Sequence, residues 1–488
     1  MKTKTVLVFL CVATLVRCLW LVFQGVSPQE AYYWMCSERL AAAFFDGPPG
    51  TAFLVKLFGF LPGDGLLLPR FVWPVFGALS AWLAWSLARS LYDDVVAGWV
   101  LVTFNAIPVF NEHCVTVGPW MPALALALGG VIAARHAMKS RKKEGWLVAA
   151  VLFAAAILFR YEAVLLPIGF CIALIASIRR HGNPDFTGFA GLALLILLPV
   201  AVLWMPMTWN ASLEWVPVAA GTFQTWWQPR PSDWLQGAKE YFQEFSLGVG
   251  VLLFAGIFLL GHSGIKQSRA RFLLVASGPA VVWALYQFVT GREFSTAAWL
   301  GLVPVLIHLV AWGMRWRGMA MVGYLVVVIA LLSTTWMLRE EGGHRGMWPA
   351  LAGQLQAATR EMPATEGGGF LIAENAEQAS VLAVYLKAEG NAKYPPVFVP
   401  ESPALISQFG IWPSYADFIE SDEVLDEFFT EQKGYNPFIG RNALYVGSEL
   451  PQTIQGAFAE VQPLKKIQMT DGRSLTIFLC LDYQTLPL

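Results

Sequence analysis

Between Gln24 and Gly50 the sequence gathers the carboxylates Glu30, Glu38 and Asp46, the adjacent tyrosines Tyr32 and Tyr33, and the run Gly47-Pro48-Pro49-Gly50. Transfer of a glycosyl or phosphoryl group to a hydroxyl needs a carboxylate within hydrogen-bond reach of the proton it removes. Glu30 and Asp46 suit that role best, because they lie beside the tyrosine pair and the Pro-Pro run. Glu38, next to Arg39, has the spacing of a surface ion pair. The prolines fix φ and the glycines accept positive φ, so the run predicts a sharp, rigid turn. One apolar segment precedes this stretch and many follow it, which predicts a loop held against a membrane face. Such a loop suits a reaction site for a lipid-carried substrate. The competing reading is an amphipathic interfacial helix with a tyrosine belt.

A second candidate is Arg160-Tyr161-Glu162, which interrupts an otherwise continuous apolar stretch. A charge at mid-membrane costs about 2.5–3.5 kcal/mol on insertion scales, so such a residue usually has a task. Here Arg160 could bind an anionic lipid head group, or it could be a snorkelling arginine at a span boundary. Trp209, Trp215, Trp226, Trp227 and Trp234 crowd the stretch Thr208–Gln243. They read as an interfacial belt, or as flat faces for a sugar or a lipid tail. Arg292 and Glu293 fit a structural ion pair.

The elements that must position these residues follow from composition. Of 488 residues, 56% are hydrophobic and 14% charged, against about 25% charged in soluble proteins, and mean hydropathy is +0.53. This is the profile of a polytopic α-helical membrane protein. About eleven spans of about 20 apolar residues are predicted: Thr5–Phe23, Phe71–Leu91, Val95–Phe110, Trp120–Met138, Trp146–Phe159, Ala163–Ile178, Phe186–Met207, Phe245–Leu260, Phe272–Val289, Thr296–Trp312 and Met319–Leu338. Thr51–Leu61 is too short to cross and is expected in the interface. The first segment has no small-residue cleavage site after it and reads as an uncleaved span.

With the N-terminus inside, Arg89, Arg135 to Lys143, Arg179-Arg180, Lys266 to Arg271, and Arg315 to Arg317 all fall in inner loops, as the positive-inside rule requires. An odd number of spans then puts the C-terminus outside. The expected organisation is a membrane domain, residues 1–339, with its first outer loop at 24–50, and a soluble periplasmic α/β domain, residues 340–488. In the latter, Phe370–Glu374, Val397–Pro400, Ala443–Ser448 and Leu475–Tyr483 read as strands and Asn375–Lys387 as a helix. Gly367-Gly368-Gly369 precedes a strand and reads as a linker. A net charge of −1 gives no sign of a nucleic-acid partner. Neither the six cysteines nor the six histidines show metal-ligand spacing. Cys36 and Cys114, in predicted outer loops, could pair. No cofactor is indicated, and a divalent metal is left open.

In its motifs the chain resembles the C-type glycosyltransferases that use lipid-linked sugars, integral membrane enzymes that include the protein O-mannosyltransferases and the aminoarabinose transferases of lipid A. The motif residues are Gln29-Glu30-Ala31-Tyr32-Tyr33-Trp34, Phe44-Phe45-Asp46-Gly47-Pro48-Pro49, Phe159-Arg160-Tyr161-Glu162-Ala163 and Trp209-Asn210. In the tail, Glu374-Asn375, Ser407 to Pro413 and Ala443 to Val446 add to the likeness. The resemblance implies inverting transfer of a sugar from a polyprenyl phosphate donor to a lipid, glycan or protein acceptor at the outer face of the inner membrane. It implies Glu30 as base, with Asp46, Glu112 or His113 assisting, and Arg160 neutralising the phosphate. Tyr32, Tyr33, Tyr161, Trp209 and Asn210 are implied at the substrate. Three positions depart from the family pattern: Gln29, Gly118 and Ala298 stand where relatives carry two acids and a histidine. The rival readings are a catalytically impaired relative that binds lipid-linked sugar or a partner, and a transporter, whose internal repeats the sequence lacks.

Overall fold

A computed structural model of the protein describes residues 3–59, 67–181, 186–218, 247–289, 297–314, 347–386, 395–402, 404–418, 436–469 and 474–485. Contacts divide the chain into two compact units, one of Met1–Phe23 and Ala41–Glu340, the other of Gln24–Leu40 and Glu341–Leu488.

The first unit is helical. Its first helix, α1 (Thr3–Phe23), consists largely of Val and Leu and has no acid in its first turn. It buries Val6, Leu10, Arg17 and Leu21, while Leu7, Val8, Val12, Leu15, Val16, Leu19 and Val22 are exposed. A helix apolar on its outer face as well as its inner one suits a lipid surrounding. After α2 (Pro28–Glu38), which belongs to the second unit, come α3 (Gly50–Gly59), α4 (Leu67–Leu91), α5 (Asp94–Ala106), α6 (Pro108–Val115), α7 (Trp120–Ser140) and α8 (Lys143–Ile157). A 3-10 turn, Tyr161–Val164, leads into α9 (Leu165–His181), followed by α10 (Phe186–Ser212), α11 (Leu247–Lys266), α12 (Ser268–Val289) and α13 (Ala297–Gly313). Prolines lie inside α4, α10, α12 and α13, as membrane helices tolerate where neighbours supply the freed backbone groups with partners.

Every predicted span except Met319–Leu338, which lies outside the described residues, coincides with helix. Among the described residues four helices are long and apolar enough to cross a membrane, or five if the bent pair α5–α6 forms one span. The protein is an integral membrane protein. Val95–Phe110, expected as one span, is two helices meeting at 68°. Pro108 lacks an N–H, and the residue before a proline is pushed to extended φ/ψ. Ile107 accordingly sits at φ −70°, ψ 124°.

The second unit holds α2, α14 (Met347–Glu361), β1 (Phe370–Ala373), α15 (Ala376–Leu386), β2 (Ala443–Gly447), α16 (Gln452–Ala457), β3 (Phe458–Gln468) and β4 (Ser474–Tyr483). The sheet order is β1-β2-β4-β3. β1 runs parallel to β2, Phe370 opposite Ala443, and the other pairs are antiparallel. β2 is buried along its whole length, as a central strand covered on both faces must be. Phe370, Phe458 and Tyr483 of the sheet pack with Phe398, Tyr415 and Phe438 in one core, in edge contacts such as Phe370–Phe438 at 5.1 Å. Gly367 and Gly368, at φ 85° and 75°, turn the chain into β1 as a connector.

Several expectations need correction here. The stretch read as a loop contains the eleven-residue helix α2, which packs on α15 in the second unit. The Val26 N–H donates to the Tyr385 hydroxyl at 3.1 Å, so residues 24–40 group with the tail and not with the membrane helices. Val397–Pro400 contributes only a single bridge, Phe398 to Ile372. β3 went unseen in the sequence because it is a mostly exposed edge strand with a register shift between Pro463 and Lys465, and such edges carry charges and proline instead of alternating apolar residues. Cys36 and Cys114 are both buried thiols, Cys36 in the second unit and Cys114 in the first. The Cys114 thiol is taken up by packing against Gly77 and Met121.

Candidate active site

Asp46 sits exposed in a turn closed by two backbone hydrogen bonds, Phe44 N–H to Gly47 O at 2.9 Å and Gly47 N–H to Phe44 O at 3.1 Å. The turn is thus Phe44–Gly47, one step before the predicted Gly-Pro-Pro-Gly turn. Pro48 and Pro49 instead feed α3, where the Pro49 carbonyl accepts the Phe53 N–H at 3.1 Å and a missing proline N–H costs nothing. At the first residue of α3 the Gly50 N–H donates to the Leu158 carbonyl at 2.7 Å. A Cβ on Gly50 would stand 2.4 Å from that oxygen, so only glycine lets the two backbones come this close.

Leu158 ends α8, and the chain turns there into Arg160 in extended conformation, φ −148°, ψ 122°. The Arg160 guanidinium forks onto Glu162, Nη2 to Oε1 at 2.6 Å and Nε to Oε2 at 3.1 Å. It also lies over the Trp120 indole, 4.0 Å from the ring centroid. The two charged side chains are 20% and 10% exposed, so salt screens this pair less than it would a surface ion pair. His113 also packs on this indole, its ring centroid 5.8 Å from that of Trp120. His113 Nε2 and the Tyr161 hydroxyl are buried and meet no hydrogen-bond partner among the described residues. Trp73, fully buried, donates its Nε1–H to the Gly118 carbonyl at 2.7 Å and so pins the segment before Trp120.

Two short links, Gly50–Leu158 and Trp120–Arg160, therefore tie the turn that bears Asp46 to the segment of Arg160 and Tyr161, and that segment to Trp120 and His113; Glu112 precedes His113 in α6. Trp209 and Asn210 lie at the end of α10, and the Asn210 side chain donates to the Pro206 carbonyl of its own helix at 2.8 Å. Trp226, Trp227, Trp234, Arg292 and Glu293 lie outside the described residues. Glu30, Tyr32 and Tyr33 belong to the second unit. Glu30 is 1% exposed and closes a capping box: its carboxylate accepts the Ser27 N–H at 2.9 Å, and the Ser27 hydroxyl accepts the Glu30 N–H at 3.2 Å. Tyr32 and Tyr33 meet edge to face at 5.5 Å. Nearby, Arg39 stacks on Trp412 at 5.4 Å. Among the described residues no group of three His, Cys, Asp or Glu side chains is placed to hold a metal ion.

Sequence reasoning missed Trp120 as the platform under Arg160. It also missed the capping box, although Ser27-Pro28-Gln29-Glu30 has the S-x-x-E spacing with proline at the first helical position.

Residues 46–205 match the family model of the dolichyl-phosphate-mannose-protein mannosyltransferases. A sequence comparison with curated proteins finds no match. Among solved structures, ArnT from Cupriavidus metallidurans in the apo state is 14% identical over 97% of this chain and 98% of that one, with a TM-score of 0.61. ArnT bound to undecaprenyl phosphate is 15% identical over the whole of both chains, also with a TM-score of 0.61. The likeness drawn from the motifs is borne out as a likeness of fold. The chain has the fold of ArnT, and its residues 46–205 match the dolichyl-phosphate-mannose-protein mannosyltransferase family.

Proposed function

We propose that the protein is a membrane glycosyltransferase that moves a sugar from a polyprenyl phosphate donor to an acceptor hydroxyl or amine at the outer face of the membrane. The observation that carries this reading is the Arg160 guanidinium, stacked on Trp120, forked to Glu162 and tied through Leu158 to the turn that bears Asp46. Glu162 takes the Nε and Nη2 edge and Trp120 one face, so the Nη1 edge is directed elsewhere. A pre-oriented planar cation of this kind suits a phosphate oxygen. As the glycosidic C–O bond breaks, the donor phosphate gains charge, and Arg160 stabilises it as the leaving group. A carboxylate opposite takes the proton of the acceptor as it attacks the anomeric carbon with inversion. Asp46, exposed on its turn, is the first choice for that base and Glu30 the second, because the Glu30 carboxylate already serves the helix cap. Glu112, His113, Tyr161, Trp209 and Asn210 would line the substrate path, with Tyr32 and Tyr33 supporting Glu30.

The basic-loop bias supports an N-terminus inside and residues 340–488 outside. Alkaline phosphatase fused after Leu488 reads that orientation by its activity.

The test is transfer from an undecaprenyl-phosphate sugar by the purified protein in detergent. Wild type transfers, and Asp46→Asn loses about 10²–10⁴-fold in rate with donor binding kept. The capping duty of Glu30, together with Gln29 at the motif's first position, favours a second reading, a relative that binds lipid-linked sugar without transferring it. Wild type that binds undecaprenyl phosphate but transfers no sugar would establish that reading instead.

A further inference from the structure

Helix α1 buries one charge. Arg17 is 7% exposed in a helix otherwise fit for lipid, and its partners are amides. Its Nε and Nη2 donate to Asn111 Oδ1 at 3.2 and 2.7 Å, and Nη2 donates to Asn105 Oδ1 at 2.9 Å. The guanidinium lies 5.3 Å from the Phe110 ring centroid, while Nη1 is buried with no acceptor among the described residues. A cation left partly unsatisfied in an apolar setting is costly, so its retention asks for a task.

The Asn111 amide shows which task. Its Nδ2 donates to the Asn105 carbonyl at 2.7 Å and the Ile107 carbonyl at 3.1 Å. The Asn105 carbonyl lies in the last turn of α5, whose carbonyls the break at Pro108 leaves without the next turn's donors, and in lipid no water would replace them; the Ile107 carbonyl, at the start of α6, also accepts the Asn111 N–H at 3.3 Å. Both edges of this amide are therefore committed, the oxygen to Arg17 and the nitrogen to the end of α5. Arg17 fixes which way the amide faces. The residues after Asn111 are Glu112 and His113, and His113 packs on the Trp120 indole that carries Arg160.

We propose that Arg17 is a positioning residue for the candidate site: by orienting the Asn111 amide it holds α6 at the helix break, and through His113 and Trp120 it holds the Arg160 guanidinium in place. The proposal rests on the reading of Arg160 as a phosphate clamp. A lysine at position 17 would keep the charge but could not fork across two amides, which separates geometry from mere charge.

Two readouts on Arg17→Lys, Arg17→Met and Asn111→Leu, each checked for monodispersity in detergent, test it. The first is alkylation of Cys114 in α6, whose thiol is buried against Gly77 and Met121, followed by peptide mass spectrometry and independent of any ligand. The second is affinity for undecaprenyl phosphate, measured with and without Arg160→Ala. Cys114 is expected to be protected in wild type and alkylated several-fold faster in all three variants. Affinity is expected to fall about tenfold in each variant and to fall no further when Arg160→Ala is already present. Arg17→Lys behaving as wild type in both readouts would reduce Arg17 to a charge and overturn the proposal, as would a protected Cys114 in Arg17→Met or Asn111→Leu. Unchanged affinity alongside an opened Cys114 would refute the link to Arg160 alone. Wild type that binds no undecaprenyl phosphate would remove the clamp itself, and with it this role for Arg17.

Discussion

Gly50→Ala probes the link between the Asp46 turn and the Arg160 segment. The added methyl would lie 2.4 Å from the Leu158 oxygen and 2.9 Å from its carbonyl carbon, both backbone atoms that no rotamer change can move. To reach 3.0 Å, the limit of ordinary Cβ contacts, α3 and the end of α8 must part by about 0.6 Å or more. Overpacking of this kind costs about 1–3 kcal/mol, and stretching the 2.7 Å Gly50–Leu158 hydrogen bond forfeits up to about 1 kcal/mol more. The displaced elements carry the proposed base and the proposed phosphate clamp, and a misplacement of about 1 Å can cost about 10² in rate. Thermal unfolding in detergent should therefore show a lowered midpoint, and transfer from an undecaprenyl-phosphate sugar should drop by one to two orders of magnitude. Gly353→Ala is the control: its Cβ meets nothing within 4 Å on an exposed face of α14, and it should stabilise by about 0.5–1 kcal/mol. Wild-type stability and wild-type transfer in Gly50→Ala would refute the claim that this close approach holds the site together.

Arg160→Lys should weaken donor binding nearly as much as Arg160→Ala, by about 10–100-fold, because an ammonium cannot both fork to Glu162 and stack on Trp120; equilibrium binding of undecaprenyl phosphate checks it. Ser27→Ala should destabilise the second unit by about 1 kcal/mol through loss of the cap, whereas Glu30→Gln keeps a capping-box side chain and should leave the thermal midpoint almost unmoved. A collapse of transfer in Glu30→Gln without a stability change would move the base from Asp46 to Glu30. In the tail, burial raises the Glu401 carboxyl above its ordinary value of 4.5, opposed by the Ser414 hydroxyl and aided by Asp417. The folded state thus holds the proton to higher pH than the unfolded one, so stability declines as pH rises through this window. Glu401→Gln should remove that decline, which urea titrations from pH 4 to 7 would detect.

The membrane helices were legible in the sequence because lipid demands long apolar runs and punishes exceptions. Arg160 and Asp46 could be singled out for the same reason: charges and a Gly-Pro-Pro-Gly run stand out against such a background. The contacts that join them were not legible. Gly50 meeting Leu158 links residues more than a hundred positions apart, and neither has a side chain whose type announces the meeting. Trp120 was hidden by abundance, since 21 tryptophans make any one of them look like interfacial belt. The capping role of Glu30 was hidden for the opposite reason. A carboxylate three residues after a serine was read for its chemistry when the same spacing spelled a helix start.

The grouping of α2 with the tail has a consequence for how the protein is made. The Val26 N–H and the Tyr385 hydroxyl that receives it are separated by 359 positions. At about 5–20 residues per second of synthesis, α2 leaves the ribosome roughly 18–70 s before the helix it packs on exists. Throughout that interval its buried face, Ala31, Met35 and Cys36, has no native partner while the following helices are being inserted. A nascent chain stalled before residue 340 should therefore carry a protease-sensitive segment at 24–40 that becomes resistant only on completion. By the same reasoning, a tail transplanted from a relative would need to bring residues 24–40 with it.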